Sequence, residues 1–191
     1  MLDRALLHDI SINTLYAGLI LLFFVIVERA LTYVYLGLKT RRIAGILARN
    51  PAGTTPSFEG ADVLSRSMDE YVKAQAHETN RARVEDLSAA LFLEVDEKVS
   101  ARLWILDTIV TAAPLLGLLG TILGIMDTFS ALSSGGISDP AAVSHGIADA
   151  LLATALGIGT ALFGLLGHNI LHRQAEGITE RFKNFLLRAT A

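Results

Sequence analysis

The chain has 191 residues, 52% of them hydrophobic and only 18% charged, with a positive mean hydropathy; an ordinary soluble domain carries roughly a quarter charged residues. A formal net charge of −3 gives no basic footprint for nucleic acid. The absence of cysteine excludes disulfides, thiolate catalysis and Cys-based metal sites.

The charge deficit is local. Residues 103–172 contain no Lys or Arg, and their only acids are Asp107, Asp127, Asp139 and Asp149. Three runs have the length and character of a bilayer span, which needs about 20 mostly apolar residues. The first is uncharged over residues 11–27 and continues past Glu28 and Arg29 to residue 38. The second covers 108–126, and the third covers 150–167 with an extension back to about Pro140. None alternates with period two, so a membrane barrel has no support. Three fully buried core helices are the competing reading, but the remaining sequence is too short to build a soluble shell around them. The expected fold class is therefore an all-α integral membrane protein with three transmembrane helices.

In chain order, residues 1–10 form the outer N-terminus and 11–38 the first transmembrane helix. The leader holds Asp3, Arg4, His8 and Asp9 without a basic bias, and no small-residue cleavage pattern follows the run, so it reads as a permanent anchor. Residues 39–107 form a helical domain that the first helix enters directly. The segment NPAGTTPSFEG (50–60) is rich in turn-forming residues and reads as a loop. Beyond it, Val84, Leu87, Leu91, Val95, Val99, Leu103 and Leu106 recur at three- and four-residue steps, one apolar stripe on a helix. No Pro or Gly interrupts it before the second span, which predicts a single helix from Val84 to Leu132, about 70 Å long. Pro114 lies inside it and removes one backbone hydrogen bond.

The second transmembrane helix is expected over 108–132, a short loop over 133–143, the third transmembrane helix over 144–170 and a terminal helix over 171–191. Ser138-Asp139-Pro140 reads as a helix start. The third helix then runs from Pro140 to about Leu187, so two of the helices extend far beyond the membrane. Basic residues set the orientation. Lys39, Arg41, Arg42 and Arg49 follow the first span, Arg173, Arg181, Lys183 and Arg188 follow the third, and the 133–143 loop has none. The N-terminus is expected outside, with 39–107 and the C-terminal tail in the cytoplasm.

The spans themselves carry the functional candidates. Gly117, Gly120 and Gly124 share one face of the second span, and Ala153, Gly157, Ala161 and Gly164 share one face of the third. Small residues at these steps let membrane helices approach closely, and helix packing is their expected role. Asp149 differs in kind. It falls inside the third span, where a carboxylate costs about 2.5–3.5 kcal/mol on insertion scales and marks an ion pathway by default. Neither neighbouring span offers it a basic partner. Desolvation favours its protonated form and so lets it exchange protons. The competing reading is an interfacial Asp hydrated at the outer surface.

Thr121 and Thr154 are hydroxyls in apolar runs, and the simplest expectation is that each bonds its own backbone four residues back. Asp127 reads as a hydrated helix-end acid. Glu28 and Arg29 mark the inner end of the first span and pair with each other or with cytoplasmic helices. His145, His168 and His172 invite a metal reading; without an acid partner, interfacial anchoring is preferred. No phosphate-cradling loop, nucleophile elbow or paired-carboxylate site is found, so no enzyme activity and no cofactor are expected.

Two segments, APLLGLLGTILGIMDTF (113–129) and GIADALLATALGIGTALFGLLGHN (146–169), together resemble the MotA/TolQ/ExbB proton-channel family, most closely its ExbB and TolQ branches. The resemblance is close over 102–169. It implies a homopentameric ring in the bacterial inner membrane, whose second and third spans line a pore. It also implies an ExbD- or TolR-like single-span partner carrying a membrane Asp, and work on a TonB- or TolA-like protein. The resemblance implies protons as the coupling ion. The family's E-A-L-x-A-T pattern is met here by Asp149-Ala150-Leu151-Leu152-Ala153-Thr154, which puts Asp149 in the acid position and Thr154 in the polar lining. Thr121 matches the family's second-span Thr. Asp replaces Glu, one methylene shorter. The first span also begins close to Met1, without the outer extension some relatives carry. A MotA-like stator is disfavoured because such chains carry four spans. The alternative from another class is a passive oligomeric scaffold that conducts nothing.

Overall fold

The computed structural model describes residues 4–49, 58, 60, 62–77, 80–135 and 140–189. Among them the chain is all-helical: α1 Arg4–Arg49, α2 Val63–His77, α3 Arg81–Ser100, α4 Leu103–Gly135 and α5 Pro140–Ala189. Three of these helices are long and apolar enough to cross a membrane, over Ile10–Ile46, Leu103–Ser133 and Val143–Leu187. Only 22–28% of their most apolar windows is buried inside the chain. That fraction decides against a soluble core. Side chains such as Ile20, Phe23, Leu115 and Phe163 are about 70% exposed, and a bilayer is the solvent that suits such a surface.

The expected uninterrupted helix over 84–132 is not observed. It is broken at Ala101 and Arg102 into α3 and α4. Ala101 is extended (φ −52°, ψ 141°) and Arg102 adopts the left-handed region, φ 68°. A helix end strands carbonyl groups, and here the buried Tyr33 hydroxyl donates to Val99 O at 2.8 Å. A tertiary partner thus supplies what the helix gives up, at a point where no Gly or Pro announces a stop. The two longest helices are therefore α1, with 46 residues, and α5, with 50.

The described residues divide into two compact units. The first comprises residues 1–27 and 102–169, that is, the N-terminal part of α1, all of α4 and most of α5. Its interior includes Leu15, Leu22, Val25, Leu103, Leu106, Ala113, Ala150 and Ala153. The second comprises 28–101 and 170–191. There Val84, Leu91, Val95 and Val99 of the predicted stripe are buried, together with Tyr33, Tyr71, Phe182 and Leu186. Asn80 caps α3 by accepting the Ala82 N–H at 3.1 Å.

Asp62 performs a similar task before α2. Its carboxylate accepts Ser65 N–H at 3.2 Å and the Lys39 ammonium of α1 at 2.6 Å. Burial alone would raise its pKa. The Lys39 bond, with the Ser65 N–H and hydroxyl, outweighs that and holds the carboxyl below its usual range. Glu28 and Arg29 do pair, at 3.4 Å. Pro140 opens α5, whereas Ser138, Asp139 and nearly all of the 50–60 loop lie outside the described residues.

Candidate functional site

In the first unit, α4 and α5 run antiparallel along a seam with almost no side-chain volume. A Cβ placed on Gly117 would lie 2.8 Å from Ala153 O and 3.2 Å from Gly157 Cα. One placed on Gly157 would lie 2.5 Å from Ala113 O, and one on Gly120 3.2 Å from Ala153 Cβ. Backbone meets backbone there, which only small residues permit. Gly164 and Gly167 face the other way in part, against Leu22 and Ile26 of the parallel helix α1. Gly124 is buried and Ala161 half-buried.

The two threonines meet in the middle of this seam. Thr121 Oγ1 and Thr154 Oγ1 form a short hydrogen bond with each other. Thr121 Oγ1 also lies 2.9 Å from Ala150 O and 3.0 Å from Gly117 O, while Thr154 Oγ1 lies 3.2 Å from Gly117 O. The back-bond expected from sequence is thus one of three contacts for Thr121. Thr154 instead reaches across to α4. Two hydroxyls carry two hydrogens, and either can donate to the other while the second donates to a carbonyl. The chain of bonds can therefore run in either direction.

Asp149 adjoins Ala150, whose carbonyl holds Thr121. Its side chain is 60% exposed on the protomer surface, outside the packed seam. It also has a partner that the sequence reading did not assign: His145 Nδ1 lies 3.1 Å from Asp149 Oδ2, one helical turn earlier on α5. His172 is likewise paired, with Glu176 at 3.3 Å. The reading of these histidines as lacking acid partners is therefore corrected. The i, i+4 spacing was the signal that could have found both pairs. Asp127 is half-buried on α4. No cluster of three or more His, Cys, Asp or Glu able to hold a metal occurs among the described residues.

A small-residue seam, a buried hydroxyl bridge and an acid on the adjoining face gain their context from comparison with known proteins. The profile of the MotA/TolQ/ExbB proton channel family matches residues 60–184. The chain belongs to that family.

Among its relatives, a putative biopolymer transport protein ExbB homolog of Methanothermobacter thermautotrophicus is 43% identical over 83 residues, 44% of this chain and 29% of the relative. The Tol-Pal system protein TolQ of Haemophilus influenzae is 36% identical over 90 residues, 47% of this chain and 40% of its own. The biopolymer transport protein ExbB of Helicobacter pylori is 39% identical over 85 residues, 44% of this chain and 59% of its own. The aligned parts thus span well under two thirds of each of these relatives. Family membership and three apolar spans together make this a membrane protein of the ExbB/TolQ type.

Proposed function

We propose that this chain is the proton-channel subunit of an energy-transducing motor in the bacterial inner membrane. Its N-terminus lies in the periplasm and its C-terminus in the cytoplasm, as the distribution of basic residues favours. Asp149 accepts and releases protons, and the Thr121–Thr154 bridge supplies the polar stretch beside it. Copies of the chain form a ring, a pentamer by family analogy, around an ExbD- or TolR-like single-span partner. Proton flow past Asp149 moves that partner, which acts on a TonB- or TolA-like protein for transport or envelope work.

One observation carries this reading: a carboxylate in an apolar span lies next to the residue whose carbonyl accepts from the hydroxyl bridge. An acid that served packing alone would have no reason to stand on the exposed flank of that span. The test is Asp149→Asn in the assembled complex. Force-dependent activity and proton flux into liposomes should be lost while assembly persists; undiminished flux would reject the mechanism.

The glycine seam alone would suit a passive oligomeric scaffold equally well. The same liposome measurement separates the two, since a scaffold passes no protons with or without its partner.

A further inference from the structure

The proton pathway above leaves His145 unused, yet it is the side chain that touches Asp149. We infer that His145 loads Asp149 with protons from the outer side, as its immediate donor; this rests on the proposed role of Asp149.

Three observations support the assignment. The bond itself is direct, Nδ1 to Oδ2 at 3.1 Å. Both side chains stand outside the chain's packed interior, His145 at 81% and Asp149 at 60% exposure, so packing within the chain does not lock the imidazole away from a proton source. His145 also lies on the N-terminal side of Asp149, toward Pro140 at the start of α5, which is the outer side in the orientation proposed above. A proton arriving from that side meets the imidazole first. Histidine is the side chain whose charge changes between about pH 5 and 8, which fits a group that reloads at each cycle.

The transfer balances simply. The imidazolium gives its Nδ1 proton to Asp149 Oδ2, which leaves a neutral ring with hydrogen on Nε2 and a neutral carboxyl group. Once the carboxyl has passed its proton on, water on the outer side re-protonates Nδ1. When a neighbouring subunit or the partner covers the carboxylate and strips its water, the neutral pair is favoured and the proton crosses. Occlusion of Asp149 is thereby the trigger for loading it.

One acid within the apolar span of α4 is Asp127, which is half-buried. An exposed i, i+4 pair contributes little to stability, so replacing His145 should leave folding and assembly intact.

The experiment measures proton flux in liposomes holding the complex isolated intact from membranes, with His145→Ala, His145→Gln and Asp149→Asn compared with the unaltered chain. Both His145 variants should lose about a hundredfold in flux, the low end of what a positioned proton-transfer group supplies. The pH dependence of flux should change, and imidazole added on the outer side should restore flux to His145→Ala. Unaltered flux and pH profile in both variants would overturn the assignment. So would a loss of flux that imidazole does not repair and that keeps the original pH profile, which marks a structural role. If Asp149→Asn conducts normally, the underlying channel reading fails instead.

Discussion

Thr121 and Thr154 hold each other's hydroxyl across the α4–α5 seam, and each also reaches a carbonyl on the opposite helix, Ala150 O at 2.9 Å and Gly117 O at 3.2 Å. The arrangement is a closed set in which every member depends on the register of the two helices. With only two hydrogens shared among these acceptors, removing one hydroxyl can break both bonds of the pair.

Thr121→Val and Thr154→Val should therefore each destabilise the chain by about 0.5–2 kcal/mol, the range for cross-helix hydrogen bonds in membranes. The double variant should cost clearly less than the sum, because the second change removes a bond already lost. Unfolding in detergent micelles by denaturant measures this. Strict additivity would show that the two hydroxyls act separately.

The seam glycines make a sharper prediction. Gly157→Ala puts a methyl 2.5 Å from Ala113 O, a backbone atom that no rotamer change can move. Gly117→Ala meets Ala153 O at 2.8 Å. Each should cost about 1–3 kcal/mol, as overpacking does. Gly177→Ala is the control: a Cβ there meets nothing within 4 Å, and an Ala in mid-helix should gain up to about 1 kcal/mol. Equal melting shifts in all three variants would contradict the seam geometry.

The Lys39–Asp62 bond predicts an acid limb in the stability of the second unit. The Asp62 carboxyl is held below its usual range by Lys39 and Ser65, against the opposing effect of burial. Its contribution is present above the unfolded-state value, near 3.9 for Asp at about 25 °C, and is lost as pH falls through the folded value. Asp62→Asn should reduce stability at neutral pH and flatten the decline toward pH ~3. Thermal melts across that range check the sign. A decline as steep as that of the unaltered chain would place the acid sensitivity elsewhere.

Arg102 tests the break between α3 and α4. Its φ of 68° suits glycine and penalises a β-branched residue. Arg102→Gly and Arg102→Ile both delete the guanidinium, so their difference isolates the backbone. The Ile variant should be less stable by about 1–2 kcal/mol. Equal stabilities would mean that the helix runs straight through, as the sequence suggested.

These cases show which features a single sequence displays. The three spans were legible because 20-residue apolar runs are a property of composition. The small-residue faces were legible because helical spacing is fixed, so Gly117 and Gly120 or Ala153 and Gly157 must share a side. The stop at Ala101 was not, since the Tyr33 hydroxyl that accompanies it stands 66 residues away from Val99 in the chain. The second contact of Thr121 and the partner of Thr154 were hidden for the same reason: they depend on the register between two helices. The His145–Asp149 pair was readable from its spacing, but each residue was weighed alone. The approach of α4 to α5 and the location of Asp149 on the outer flank of α5 emerge only once the helices are packed together.

The seam also has a mechanical meaning. Interfaces built from long side chains yield by rotating those side chains, but Gly117 and Gly157 have none to rotate. Any relative slide of α4 and α5 must carry whole backbones past each other and open the threonine bridge at the same time. The two spans therefore behave as a single strut, and any turning or tilting in the membrane must take place against it, not within it.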